Sequence, residues 1–307
     1  MAHGHAHTHE HGHAHGHALP APEQLNKAFI IGIALNLIFV LVEAAAGFWY
    51  DSLALLSDAG HNLSDVISLV LALLAFRMAK VKPNSRYTYG YKKSTVLVSL
   101  LNAIILLVAV GIILAESIEK LRNPQPIAGG VIAWVAGVGI LINAFTAFLF
   151  LKDKERDLNI KGAYLHLMAD ALVSVGVVIS GVIISYTHWY IIDPIIGIAI
   201  AIVILVSTWN LLRDSLRLSL DGVPAGISAE KIRKLLLQVD GVREIHHLHI
   251  WALSTTQNAL TAHVVVASLE DGEAVKNRIK EILSEEHIPH ATLELETVAE
   301  CCTDRTD

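Results

Sequence analysis

Six predominantly apolar runs, at about 27–49, 54–76, 94–117, 128–151, 163–186 and 190–211, each come close to the roughly 20 residues that a helix needs to cross a bilayer. Within hydrocarbon, a spanning segment must satisfy its own backbone N–H and C=O groups, which makes runs of this length α-helical. A bundle of six transmembrane helices is therefore predicted, with the lipid bilayer as its main solvent. Composition agrees, since 53% of the 307 residues are hydrophobic and 17% are charged, against about 25% charged in ordinary soluble domains.

Orientation follows from the loop cations. Arg77, Lys80, Lys82, Arg86, Lys92 and Lys93 follow the second run, and Lys152, Lys154, Arg156 and Lys161 follow the fourth. Between the third and fourth runs only Lys120 and Arg122 occur. Loops after even-numbered runs are thus expected to be cytoplasmic, which places both termini in the cytoplasm. The short loops suggest a bacterial plasma membrane.

The flanks of the bundle differ in kind. Residues 1–26 form a tail in which His3, His5, His7, His9, His11, His13, His15 and His17 alternate with small and polar residues, a composition expected to be disordered without metal. Such a tail reads as a purification tag, a solvated spacer or a metal-collecting arm. The interruptions argue against a tag, and neutral imidazoles favour weak binding of zinc, copper or nickel. The first residues also lack the pattern of a cleaved secretory signal, so the tail is expected to be retained.

Residues 27–212 are assigned to the membrane domain and 213–307 to a cytoplasmic domain. In the latter, Ser228 is placed to cap a helix at 229–239, followed by strands at about 243–253 and 258–267, a helix at about 271–285 and a strand at about 291–298. That order suggests a small ferredoxin-like α/β fold. A formal charge of −6 without a basic surface excludes nucleic acid as a partner. Adjacent Cys301 and Cys302, the only cysteines, rule out a disulfide framework.

Two apolar runs carry the same polar motif, His61-Asn-Leu-Ser-Asp65 and His166-Leu-Met-Ala-Asp170. Residues four apart share a helix face, so each motif presents an imidazole and a carboxylate together. Two such helices side by side supply four nitrogen and oxygen donors, the number and type that suit tetrahedral zinc. The placement needs compensation, because an Asp at mid-bilayer costs about 2.5–3.5 kcal/mol on insertion scales. A divalent cation supplies it. Interhelical hydrogen bonding is the plainer alternative for any one such pair, but repetition on two spans favours a shared cation site.

Asp58, three residues before His61, reads equally as a relay toward that site or as a helix cap. Asn36, Glu43, Asn62, Asn102 and Asn143 read as interhelical glue. Catalytic zinc keeps a coordination position open, and the HExxH pattern of metalloproteases is absent, so binding without chemistry is favoured and the chain is not read as an enzyme. The competing classes are an intramembrane metal hydrolase and a membrane-anchored metal sensor. Around the predicted strands, His246, His247, His249, His263, Glu294, Glu296 and the two cysteines cluster, with a plain polar sheet face as the alternative.

These residues resemble the cation diffusion facilitator family of zinc transporters from about residue 27 to the end. The resemblance is carried by Ser52-Leu-Ala-Leu-Leu-Ser-Asp-Ala-Gly-His61-Asn-Leu-Ser-Asp65, by Gly162-Ala-Tyr-Leu-His166-Leu-Met-Ala-Asp170, by Arg86-Tyr-Thr-Tyr-Gly90-Tyr91, by Asp193-Pro194 and by Asp221-Gly-Val-Pro224. It implies a homodimeric exporter that exchanges zinc, with other divalent cations in its range, for protons by alternating access. It also implies a cytoplasmic metal site containing His246, His263 and Glu296, with Cys301 and Cys302 as additional ligands. Two His and two Asp are similar to the site of zinc-preferring members, while some bacterial relatives with Asp in place of His61 accept cadmium more readily. No histidine occurs at 77–93, where some relatives carry a further metal site, and Lys92 and Ser94 stand where relatives often have Arg and Glu.

Overall fold

A computed structural model describes residues 22–49, 53–122, 131–187, 189 and 191–297 of the chain. Six long helices lead: α1 (Pro22–Trp49), α2 (Leu53–Ala79), α3 (Ser94–Arg122), α4 (Val131–Leu151), α5 (Leu158–Thr187) and α6 (Ile192–Ser219). They coincide with the six predicted runs, and the differences lie at the polar ends. Helix α5 begins five residues before the predicted run, at Leu158, and α6 continues past residue 211 to Ser219. Hydropathy marks where hydrocarbon ends, whereas a helix ends where its backbone bonds are capped.

Among the described residues, 27–46, 94–122 and 194–219 are long and apolar enough to cross a membrane by themselves. Ile38, Leu41, Val108, Leu141, Phe148 and Val206 are all exposed. So many large apolar side chains on one surface fit lipid rather than water. Inside the bundle, Phe29 of α1, Leu69 and Leu73 of α2, Phe150 of α4 and Leu167 of α5 form one core, with Phe29 and Phe150 ring centroids 4.8 Å apart. Gly32 allows the approach of α1 to α4, because a Cβ there would stand 2.8 Å from Thr146 Cγ2. A second core joins Val110 of α3, Ala169 of α5 and Ala201 and Ile204 of α6. Helices α2 and α5, which carry the two HxxxD motifs, thus lie side by side with α5 at the junction of both cores.

The cytoplasmic domain comprises α7 (Ala229–Leu237), β1 (Val242–Ala252), β2 (Asn258–Val266), α8 (Gly272–Glu285) and β3 (His290–Thr297). This is the predicted order, with ends shifted by a residue or two. The Ser228 hydroxyl accepts from the Lys231 amide at 3.3 Å, the expected N-cap. Strand order is β1-β2-β3, antiparallel for the first pair and parallel for the second, the right arrangement for a β2-α8-β3 crossover. Ile232 and Leu236 of α7, Val275, Ile279 and Leu283 of α8, and Ile245, Leu260, Ala262 and Val264 of the sheet form one core. Both helices therefore cover one sheet face, and His246, His263, Glu294 and Glu296 fall on the other.

A polar knot fixes the cytoplasmic end of α5. Asp157 accepts from the amides of Asn159 at 2.7 Å and Ile160 at 3.3 Å, which caps the helix and explains its early start. The Thr255 hydroxyl, in the turn between β1 and β2, donates to the other Asp157 oxygen. Thr255 also donates its amide to Thr95 Oγ1 of α3 at 3.1 Å, and Asn159 Nδ2 donates to the Thr95 carbonyl at 2.9 Å. Burial pushes the Asp157 carboxyl above its usual range, against these hydrogen bonds, which pull the other way. Nearby, Lys93 Nζ reaches Asp221 Oδ1 at 2.5 Å and the Ala252 carbonyl at 3.0 Å. Asp221 turns the chain out of α6 with φ 55°, a conformation that Asp tolerates better than most residues.

Candidate metal centres

Asp65 of α2 and His166 and Asp170 of α5 bring one ligand atom each to within 4.8 Å of one another. Asp65 is 1% exposed and His166 6% exposed, and Asp170 is half-buried. His166 Nε2 contacts Asp65 Oδ1 directly, so the imidazole of one motif meets the carboxylate of the other across the helix boundary. Zinc bonds of about 2.0–2.2 Å at tetrahedral angles place donors roughly 3.3–3.6 Å apart, a spacing on the scale of this cluster. His61 lies on α2 one turn before Asp65; its side chain is outside the described residues, as is that of Asp58.

Glu43 of α1 is fully buried and accepts from Asn62 Nδ2 at 2.8 Å. That bond ties α1 to α2 beside the motif, the interhelical role expected of both residues. Asn36 does otherwise. Its Nδ2 donates to the Gly32 carbonyl of its own helix at 2.9 Å, because a helical amide side chain reaches back one turn more readily than across a closely packed interface.

The second centre lies on the open face of the sheet. His246, His263 and Glu296 also bring ligand atoms to within 4.8 Å of one another. Cross-strand pairing produces this, because His246 of β1 is the partner of His263 of β2, and Glu294 of β3 is the partner of His263 on its other side. Glu296, two residues on, returns to the same face. His263 Nδ1 stands 2.5 Å from Glu296 Oε1, its Nε2 3.4 Å from Glu294 Oε2, and His246 Nε2 3.5 Å from Glu296 Oε2. His246 is 7% exposed and neither ring nitrogen has a hydrogen-bond partner, an arrangement that costs stability unless something else satisfies it. A cation does so. His247 is half-buried beside this trio, and His249 is exposed. Cys301, Cys302 and the histidine tail lie outside the described residues.

A family model for the cation efflux transmembrane domain matches residues 29–218, and one for the cytoplasmic domain of cation efflux proteins matches residues 224–297. The chain is 35% identical over 279 residues to a cadmium, cobalt and zinc/H(+)-K(+) antiporter of Bacillus subtilis, a match covering 89% of this chain and 90% of the relative. It is 37% identical to the zinc transporter ZitB of Escherichia coli, over 90% of this chain and 89% of the relative. The metal cation efflux system protein CzcD of Cupriavidus metallidurans is 35% identical, over 90% and 88% respectively.

Proposed function

The chain belongs to the cation efflux family, a family of multi-pass membrane transporters rather than enzymes, and from that premise we propose that it exports zinc from the cytoplasm in exchange for protons. The observation that carries this reading is the buried meeting of Asp65, His166 and Asp170 across α2 and α5. His61 supplies the fourth donor. Two imidazoles and two carboxylates close a tetrahedral shell without water, which suits a cargo that is held and released rather than used for chemistry.

Release sets the mechanism. Zinc needs neutral imidazole and ionised carboxylate, so protons compete with it for the same atoms. Imidazole has an ordinary pKa of about 6.5 and changes charge within the range that separates cell interior from surroundings. A micromolar dissociation constant corresponds to about −8 kcal/mol, weaker than the roughly 10–16 kcal/mol of structural zinc sites, so protonation of one or two ligands tips the balance toward release. Alternating access follows: α2 and α5 present the loaded site to the cytoplasm, the bundle rocks, and protons from outside displace the ion.

The His246, His263 and Glu296 cluster binds a second, resident zinc in the cytoplasmic domain, whose remaining position falls to another donor of the chain. The paired nitrogen and oxygen donors and the unsatisfied His246 nitrogens support this. Two copies of the chain act together, with both termini in the cytoplasm and a bacterial inner membrane as the setting. Cadmium and cobalt, borne by the Bacillus subtilis relative, extend the range of cargo.

Proteoliposomes test the exchange. With the cytoplasmic face outward and an acidic lumen, zinc should accumulate inside against its own gradient. A one-unit pH difference is about 1.4 kcal/mol per proton, so it sustains roughly tenfold accumulation for each proton exchanged. Uptake that ignores the gradient would leave only a facilitated pathway.

A further inference from the structure

Strand β1 leaves regular pairing at two places, between Val242 and Glu244 and again between His246 and His249, and the second lies at the metal cluster. Its register passes from His246 opposite His263 to His249 opposite Thr261, so β1 advances three residues while β2 advances two. The additional residue makes a β-bulge, a device that re-aims a side chain which strict alternation would send to the opposite face. At the bulge His247 has φ 49°, in the left-handed region that residues with a Cβ seldom enter. In an unbroken strand His247 would point toward α7 and α8. Instead its ring stands 5.3 Å from the ring of His246 and 5.1 Å from that of His263, centroid to centroid.

We propose that His247 is the fourth ligand of the cytoplasmic zinc site, completing with His246, His263 and Glu296 a closed shell of three imidazoles and one carboxylate within a single chain. The inference rests on reading those three residues as ligands. Chemistry favours it, because zinc sites without an open position are almost always four-coordinate and accept His and Glu donors together. Geometry favours it too. Two consecutive histidines come to stand on one face, with the His247 ring beside those of His246 and His263, only where a bulge breaks the alternation, and the left-handed backbone at His247 is the conformational cost. Glu294 has a different part. Facing the second ring nitrogen of His263, it orients that imidazole in the manner of a carboxylate paired with a metal-bound histidine.

Hydrogen–deuterium exchange of the full-length protein separates this proposal from the reading beneath it. Peptides covering 242–252 and 290–297 are followed during a zinc titration, so the signal is local to the cytoplasmic site. His247→Gly supplies the residue for which φ 49° is unstrained while removing the imidazole. Zinc-free protection of β1 should be kept, and the zinc concentration giving half-maximal protection should rise about tenfold to a hundredfold. His247→Asn, which also accepts the left-handed conformation, should give the same shift. A midpoint within twofold of the unmodified protein in both variants, with Glu296→Gln still shifting it, would overturn His247 as a ligand and leave the three-residue site standing. If Glu296→Gln also leaves the midpoint in place, the cytoplasmic site itself fails and His247 falls with it.

Discussion

Replacing Asp65 with asparagine is expected to reduce zinc flux in proteoliposomes by roughly a hundredfold or more. The estimate follows from the fact that losing even an outer-shell partner of a metal ligand costs about 10- to 100-fold, and Asp65 is proposed as a direct ligand. Asparagine preserves the volume and keeps an oxygen to face His166, so the contact between α2 and α5 survives while the charge is lost. His166→Ala should be equally inactive, but it leaves Asp65 and Asp170 buried near one another without the imidazole, and breaking a buried pair costs about 3–5 kcal/mol of stability. The asparagine variant therefore carries the argument. Zinc-dependent exchange protection of β1 and β3 serves as the folding control, because that signal arises in the other domain. Flux near the unmodified rate in a folded Asp65→Asn protein would remove Asp65 from the transport site.

The second large effect concerns which ion is carried. His61→Asp should lower the zinc-to-cadmium flux ratio by about tenfold, a shift of roughly 1.4 kcal/mol in relative preference. Imidazole is a directional, single-nitrogen donor, whereas a carboxylate binds through one oxygen or two and tolerates a larger ion. Three carboxylates and one imidazole make a shell more adaptable to a larger ion than two of each. An unchanged ratio would count against His61 as a ligand, whatever the variant did to the absolute rate.

Much of this architecture is legible in the chain because it is written locally. Each spanning helix announces itself as an apolar run, and each HxxxD motif has its two donors on one face by helical spacing alone. Ser228 marks the start of α7 in the same way. What sequence could not supply are the pairings between distant segments. Asp157 looks like any loop acid until Thr255, 98 residues later, closes on it and the carboxylate becomes the cap of α5. Lys93 is one of six cations in its loop, and only its approach to Asp221, 128 residues away, distinguishes it. In His246-His247-Leu248-His249 strict alternation would set His247 and His249 together on the face opposite His246, and the bulge, which nothing in these four residues announces, breaks that rule.

Those distant pairings bear on function. Thr255 sits in the turn that connects β1, which carries His246, to β2, which carries His263, and it holds the end of the helix that carries His166 and Asp170. The two proposed metal centres are thus linked by one strand, one turn and one helix cap. Asp157 is therefore a point at which the cytoplasmic domain holds the end of α5, and the buried setting of that carboxylate makes the joint sensitive to loss of its Thr255 partner.

The central claim is that a single zinc ion is held jointly by α2 and α5 during its passage. Anomalous X-ray scattering at the zinc edge, from crystals of the zinc-loaded protein, tests it most directly. A peak is predicted within zinc-bond distance of Asp65, His166 and Asp170, with His61 completing the shell, and it should vanish in Asp65→Asn while the peak at His246, His263 and Glu296 remains. Zinc found elsewhere in the bundle of a transport-competent protein, with no peak between these side chains, would contradict it.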